Sequence, residues 1–351
     1  MPSIDYKSGI LKALLIVAAL FVVLAGLKIA ANILVPFLLS LFIAIVCHPL
    51  VKKIERFKVP KPLAILGVVL VIVTCAVYLV GLVGRSLLEM SQLLPGYLEQ
   101  LRGEITWVVD RLAEFNIVVS RDLITEYFNP GVAMRLVAET LSSLGDVMKN
   151  LFLVIITVVF MLFEASSLRQ KVYLALDEPD IKMQQIERFL SSVNNYLAIK
   201  TLVSVATGFC VTVMLWAAGL DFYLLWGVLA FLLNYIPNIG SIIAAIPAIL
   251  LAALQFGLAP AGFIGLGYLA INTIIANLIE PRYLGRGLGL STLVVFLSLV
   301  FWGWLLGSVG MLLSVLLTMV IKIGLENSQD GKWIAILLSG EVSEDAEVTQ
   351  D

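Results

Sequence analysis

Long apolar runs restrict this chain more than any other feature. They extend for roughly 15 to 25 residues between short polar breaks. A helix rising about 1.5 Å per residue needs that length to cross about 30 Å of hydrocarbon. The chain is 60% hydrophobic and 14% charged, with a mean hydropathy of +1.02. Ordinary soluble domains carry about 25% charged residues, so lipid rather than water is the solvent this chain is written for. The pattern predicts an all-α polytopic membrane protein.

Six full transmembrane helices are predicted over residues 10–31, 33–50, 63–84, 148–166, 200–219 and 258–279. Residues 10–31 are read as a span and not as a signal peptide, because no small-residue cleavage site follows them. Two further apolar regions are interrupted: residues 222–256 by Asn234-Tyr-Ile-Pro-Asn-Ile-Gly240, and residues 290–322 by Trp302-Gly-Trp-Leu-Leu-Gly307. Each is expected to be two short helices, re-entrant or fully crossing. Residues 86–147 form the one substantial non-spanning stretch. There Tyr97, Leu98, Leu101, Ile105, Val108, Leu112 and Phe115 recur at helical spacing, as in an extracytoplasmic amphipathic subdomain. Ser120 and Asn129-Pro130 read as helix starts within it. A second amphipathic helix is expected over 180–197 on the cytoplasmic face. The expected division is therefore 1–85 N-terminal helices, 86–147 subdomain, 148–325 transmembrane core with the two broken regions, and 326–351 a cytoplasmic tail whose stretch from Ser339 to Asp351 is acidic, polar and expected to be disordered.

Lys and Arg in short loops resist translocation and set the orientation. Lys52, Lys53, Arg56, Lys58 and Lys61 place one loop inside, and Arg169, Lys171, Lys182, Arg188 and Lys200 place a later connection there. Arg282, Arg286, Lys322 and Lys332 fall on the same side, so both termini are cytoplasmic in a bacterial inner membrane. Lys28 and Arg85 sit at outer ends and are expected to reach the interface on their long stems. By the parity of the spans, the first broken region enters from outside and the second from the cytoplasm, an arrangement suited to alternating access around a site near the midplane.

The formal net charge of -2 gives no concentrated basic surface for nucleic acid. Cys47, Cys75 and Cys210 lack CxxC spacing and read as small buried hydrophobes. The single histidine, His48, sits before Pro49 at the inner end of the second span, where a structural role is favoured over proton relay. There is no GxxxxGK[ST] loop, and Gly285-Arg-Gly-Leu-Gly289 follows a transmembrane helix and not a strand, as a tight turn would. Nothing calls for a metal or a cofactor, and the chain is read as a non-enzyme.

The chemistry concentrates at the breaks. An interruption at membrane depth frees backbone groups that hydrocarbon cannot satisfy, so it persists where protein or water meets them. Asn234 and Asn238 offer donors and acceptors for a polar solute, Pro237 enforces the break, and Gly240 reopens the helix; a connecting turn at the inner surface is the alternative. At about 100° per residue, Asn272, Glu280 and Asn277 fall near 0°, 80° and 140° on one face of the helix that ends Glu280-Pro-Arg282. Polar groups so placed face a bundle interior or a wet pathway, although Glu280 could instead pair with Arg282 or Arg286 at the interface. Gly303 and Gly307 form a GxxxG for close packing or a hairpin turn, while Trp302 and Trp304 argue that this tip reaches a headgroup belt.

These same segments, NYIPNIGSIIAAIP, IEPRYLGRGLGLSTLVVFLSLVFWGWLLG and GMLLSV, resemble the motifs of the bacterial autoinducer-2 exporter family of quorum-sensing signal transporters. The layout of the whole chain agrees, and the motifs concentrate after residue 222. Leu316 and Ser308 stand where the family or its close members would carry proline, which affects local helix bending. The resemblance implies export of the signal autoinducer-2, an influence on biofilm behaviour and a homo-oligomer, taken as a pentamer. Some relatives of that family are cation/proton antiporters, an alternative for which Glu280 and Glu164 are the ionisable candidates. A membrane scaffold that binds partners through residues 86–147 is the third reading, and it leaves the asparagines unexplained.

Overall fold

The computed structural model describes residues 6–114, 130–176, 179–237, 239–280, 282, 290–326 and 331–340, and every regular element among them is helical. Ten helices follow in chain order: α1 (Tyr6–Ile29), α2 (Ala31–Glu55), α3 (Lys61–Glu114), α4 (Pro130–Ala175), α5 (Pro179–Ala217), α6 (Tyr223–Leu233), α7 (Gly240–Phe256), α8 (Leu258–Ile274), α9 (Thr292–Glu326) and α10 (Lys332–Leu338). A π-helical turn, Ile275–Ile279, continues α8. Four helical segments are long and apolar enough to cross a membrane: Ala31–Glu55, Lys61–Leu93, Pro179–Ala217 and Thr292–Glu326. A bent pair, Asn150–Ala165 with Ser167–Ala175, makes a fifth. Val17–Ile29, Tyr223–Leu233, Gly240–Phe256 and Leu258–Ile274 are shorter apolar helices. The expected polytopic, all-helical membrane class is what the chain adopts, although fewer helices cross at full length than the apolar runs suggest.

Side-chain placement fits a lipid solvent. Phe21 is 72% exposed and Leu258 85% exposed, which in water would leave large apolar surface unpaid. Cys75 and Cys210 are exposed on such faces and only Cys47 is buried. The expectation of three buried thiols is thus corrected: a thiol on a lipid-facing helix is already in an apolar medium and gains nothing from the core.

Contacts divide the chain into two compact units, residues 1–45 with 286–351, and residues 46–285. In the first unit, α9 is a hairpin and not a rod. Trp302 Nε1 donates to Thr318 Oγ1 at 3.0 Å across sixteen positions, a separation that a straight helix would hold about 24 Å apart. A Cβ on Gly303 would lie 2.7 Å from Met311 Cγ. The reversal falls at Gly307, whose φ of 71° and ψ of -153° interrupt the helix. Leu316, where proline was the family pattern, lies buried within the unbroken second arm. Ser291 N donates to Leu338 O at 3.1 Å, tying α10 to the base of the hairpin. The Lys28 ammonium, an outlier in the charge pattern, sits 4.3 Å over the Trp304 ring, so it has an electrostatic partner on this arm.

In the second unit, α3 and α4 continue past their apolar parts, so the non-spanning stretch is built, where described, from extensions of membrane helices. Pro130 opens α4, as the Asn129-Pro130 signal suggests; Ser120, Asn129 and the side chains beyond Tyr97 in this stretch lie outside the described residues. A bend of 60° separates Asn150–Ala165 from Ser167–Ala175. The Lys61 ammonium donates to Phe163 O at 2.8 Å just before that bend, which meets a carbonyl that a bent helix leaves short of a partner. The helix expected over 180–197 and the span expected over 200–219 are one continuous element, α5, of 39 residues. Helix α6 packs on α5 through glycines. A Cβ on Gly208 would lie 2.7 Å from Phe231 Cβ, and one on Gly227 would collide with Thr212 Oγ1. Small residues let backbones approach where lipid offers no hydrophobic drive. Ala244, Ala248 and Ala252 of α7, each 0% exposed, close the core with Leu215 and Leu220.

Candidate functional site

The polar groups of the second unit collect along one face of α5. At about 100° per residue, Tyr196, Lys200, Ser204 and Thr207 lie within about 80° of one another, and all four are buried. Two of them meet the irregular points of the neighbouring helices. The break between α6 and α7 spans Asn234–Ile239, and there Asn234 Nδ2 donates to Ser204 Oγ at 3.0 Å. Tyr235 Oη donates to Thr201 Oγ1 at 2.8 Å, and Thr201 Oγ1 in turn donates to Leu197 O at 2.7 Å. One turn along α5, Lys200 Nζ meets Glu280 Oε1 at 2.7 Å, directly after the π turn of α8. The two charged side chains are 6% and 15% exposed.

The backbone explains why the elements reverse here. Pro237 cannot donate to a helix ladder, and the chain turns with Ile239 N donating to Pro237 O and Gly240 N to Ile236 O. A Cβ on Gly240 would collide with Leu233 O, so α7 starts against the end of α6 only because residue 240 has no side chain. At the opposite end of the hairpin, Gln255 of α7 accepts from Asp221 N at 3.1 Å, before α6 begins. Asp221 and Gln255 are therefore level with one another, and the tip meets α5 at Thr201 and Ser204, well back from the end of that helix at Ala217. That is within about one turn of the start of the apolar stretch beginning near residue 200, not at its middle.

Of the sequence-predicted residues, Asn234 and Glu280 meet this face of α5, and Pro237 and Gly240 form the break that follows Asn234. Asn272 is half-buried in α8, and Arg282 is exposed beyond Glu280. Asn238, the side chain of Asn277 and the turn 285–289 lie outside the described residues. Gly303 and Gly307 belong to the other unit, at the α9 hairpin. Two expectations are corrected. Glu280 pairs with Lys200 and not with Arg282, because the π turn alters the rotation per residue and aims it at α5. Lys200 is not a loop charge but a buried one, since α5 continues through it. Tyr196, Thr201 and Ser204 were not singled out by the sequence; the i, i+4, i+8 spacing of Tyr196, Lys200 and Ser204 was the signal that could have found that face, and Thr201 lies one residue off it. Glu164, the other ionisable candidate, is exposed and paired with Lys171 at 2.5 Å.

The loop between α5 and α6 is held from α3 and α6. The Tyr97 hydroxyl donates to the Asp221 carboxylate, Trp226 Nε1 donates to Asp221 O at 3.2 Å, and Phe222 takes a left-handed φ of 58°. Burial and the Asp221 carboxylate push the Tyr97 phenol up to about 12. A cavity of about 340 Å³ lies beside this loop, lined by Ser86, Glu89, Leu93, Asp221 and Tyr223 among others. A larger one, about 660 Å³, lies between the end of α4 and the start of α5, where Arg169 pairs with Glu187 and Tyr173 donates to Asp180. Neither is lined by the Lys200–Asn234 cluster, whose polar groups satisfy one another.

Comparison with known proteins places this architecture. Residues 14–330 match the family described as AI-2E family transporter. The chain is 44% identical to the AI-2 transport protein TqsA of Escherichia coli K12, over 94% of this chain and 96% of that protein. It is also 44% identical, over 93% of its length and 96% of the relative, to a Haemophilus influenzae protein whose name assigns it to transport without a substrate. A Bacillus subtilis relative named for transport, YrrI, is 24% identical over 83% of this chain.

Proposed function

We propose, given that this chain belongs to the AI-2E family of transporters, that it carries autoinducer-2 outward across a bacterial inner membrane. The 44% identity to the AI-2 transport protein TqsA, sustained over 94% of the chain, is the observation that carries the substrate. The site is read from the buried cluster at the α6–α7 break. Amide and hydroxyl groups at Asn234 and Ser204, which are buried, and at Tyr235 and Thr201, at the exposed edge, supply neutral donors and acceptors, the chemistry that a small hydroxyl-rich solute exchanges for its hydration shell. Asn238, Asn272 and Asn277 extend the same chemistry on the sequence evidence, and Pro237 with Gly240 keeps the break open to it. The Lys- and Arg-rich loops support cytoplasmic termini.

Flux in proteoliposomes tests this reading. Labelled autoinducer-2 should cross membranes containing the purified protein, and Asn234→Ala should slow it at least tenfold while eluting as the parent does in detergent. Wild-type flux no faster than that of empty liposomes would overturn the substrate. Sodium flux lost in Glu280→Gln would turn the reading toward the cation/proton antiporter instead.

A further inference from the structure

The Lys200–Glu280 pair stands out because burial does not explain it. A buried ion pair costs about as much to desolvate as its attraction returns, and apolar residues of similar size commonly serve stability as well or better. Its surroundings suggest what it does. Glu280 N donates to Ile275 O, five residues back, and Ile275 N is shared between Ile271 O and Asn272 O. A π turn of this kind holds one residue more than an α turn, costs stability, and recurs at functional sites. Relaxing it to regular α geometry would rotate everything beyond it by about 100°, the angle of one helical residue, and would carry Glu280 off Lys200. Beside the pair on α5, Thr201 and Ser204 hold the tip of the α6–α7 hairpin at 2.8 and 3.0 Å. Two irregular elements are thus pinned by nearby residues of one continuous helix, at the start of its apolar stretch.

We propose that the Lys200–Glu280 pair is the inner gate of the transport pathway, closed here and opened when the π turn of α8 relaxes and swings Glu280 away. The gate rests on reading the α6–α7 break as part of that pathway. Closed, the pair seals the polar face of α5 from the cytoplasmic side. Open, it leaves two charges at the entrance that draw in water and admit a hydroxyl-rich solute to Ser204 and Asn234. A charge pair suits this task because desolvation and attraction nearly cancel, so its dry and wetted states lie close in free energy, whereas an apolar plug resists wetting.

Accessibility measures the gate without reference to what is carried. Thr207 lies about 10 Å beyond Lys200 on the same face of α5 and is buried, so Thr207→Cys, with Cys47, Cys75 and Cys210 replaced by alanine, reports entry. A membrane-impermeant maleimide is applied to inside-out vesicles. Glu280→Gln should raise the labelling rate about tenfold, and the exchange Lys200→Glu with Glu280→Lys should return it to within about threefold of the parent. Size-exclusion elution checks folding, and Lys200→Gln replaces Glu280→Gln if the latter does not elute with the parent. Labelling unchanged in the uncoupled variant, or as fast in the exchanged pair as in it, would overturn the gate. Failure of autoinducer-2 flux with the labelling pattern intact would remove the substrate and leave the gate standing.

Discussion

Asn234 and Tyr268 show what a polar atom means inside this protein. Asn234 is 7% exposed and has Ser204 as its partner, 3.0 Å away. Tyr268, in α8, is 6% exposed, and its hydroxyl lacks a hydrogen-bond partner among the described residues. Removing a partner from a buried group costs its full desolvation, about 1–3 kcal/mol, whereas removing an unsatisfied group recovers that cost. Ser204→Ala should therefore lower the thermal midpoint in detergent and Tyr268→Phe should raise it; equal shifts in the same direction would contradict both assignments. Tyr97 offers a test by pH, since it lies outside the span Lys61–Leu93. Its phenol, pushed up from 10.0 to about 12 by burial and by Asp221, holds its proton more tightly folded than unfolded. The contribution is complete below pH 10 and is lost as pH rises toward 12. The fall in thermal midpoint between pH 9 and pH 11.5 should be smaller in Tyr97→Phe than in the parent.

At the scale of helices, two glycines separate steric from conformational cost. Gly208 is helical, and an added Cβ would lie 2.7 Å from Phe231 Cβ and 2.8 Å from Gly227 O. Gly307 has open space around it but a φ of +71°. Gly208→Ala must push α6 off α5, at about 1–3 kcal/mol for overpacking, while Gly307→Ala strains only its own backbone, at about 1–3 kcal/mol. With its ψ of -153°, Gly307 lies outside the left-handed helical region that asparagine visits and in one that essentially only glycine adopts, so Gly307→Asn should lose about as much thermal midpoint as Gly307→Ala, whereas Gly208→Asn, with the larger side chain against Phe231, should lose more than Gly208→Ala. The breaks themselves were legible because Pro237, Gly240 and Gly307 are local signals that act on the chain near them. The partners of the breaks were not. Lys200 reads as a loop charge because it begins an apolar run, and only the length of α5 and the π turn before Glu280 reveal that it is buried. A π turn leaves no periodic mark in the sequence, so a wheel drawn at 100° per residue aims Glu280 wrongly.

Across the whole chain, charge and apolar length have to agree on one orientation. The turn between α2 and α3 carries Lys58, which takes a left-handed φ of 63°, among five basic residues. Each cation resists crossing to the outside, so this turn is expected in the cytoplasm. Asp221 and Gln255 are hydrogen-bonded to each other's segment, which fixes the start of α6 and the end of α7 on one side whatever that side is. Counting from a cytoplasmic Lys58 through α3, α4 and α5 puts that side outside. Single cysteines at Lys58 and at Leu258, which is 85% exposed, replace the native three for this test. An impermeant maleimide should label Lys58→Cys only in inside-out vesicles and Leu258→Cys only in intact spheroplasts. Both labelled from the same side would mean that one of α3, α4 and α5 does not cross the bilayer. The α5 face holding Lys200 and Ser204 would then no longer be the inner mouth of a pathway.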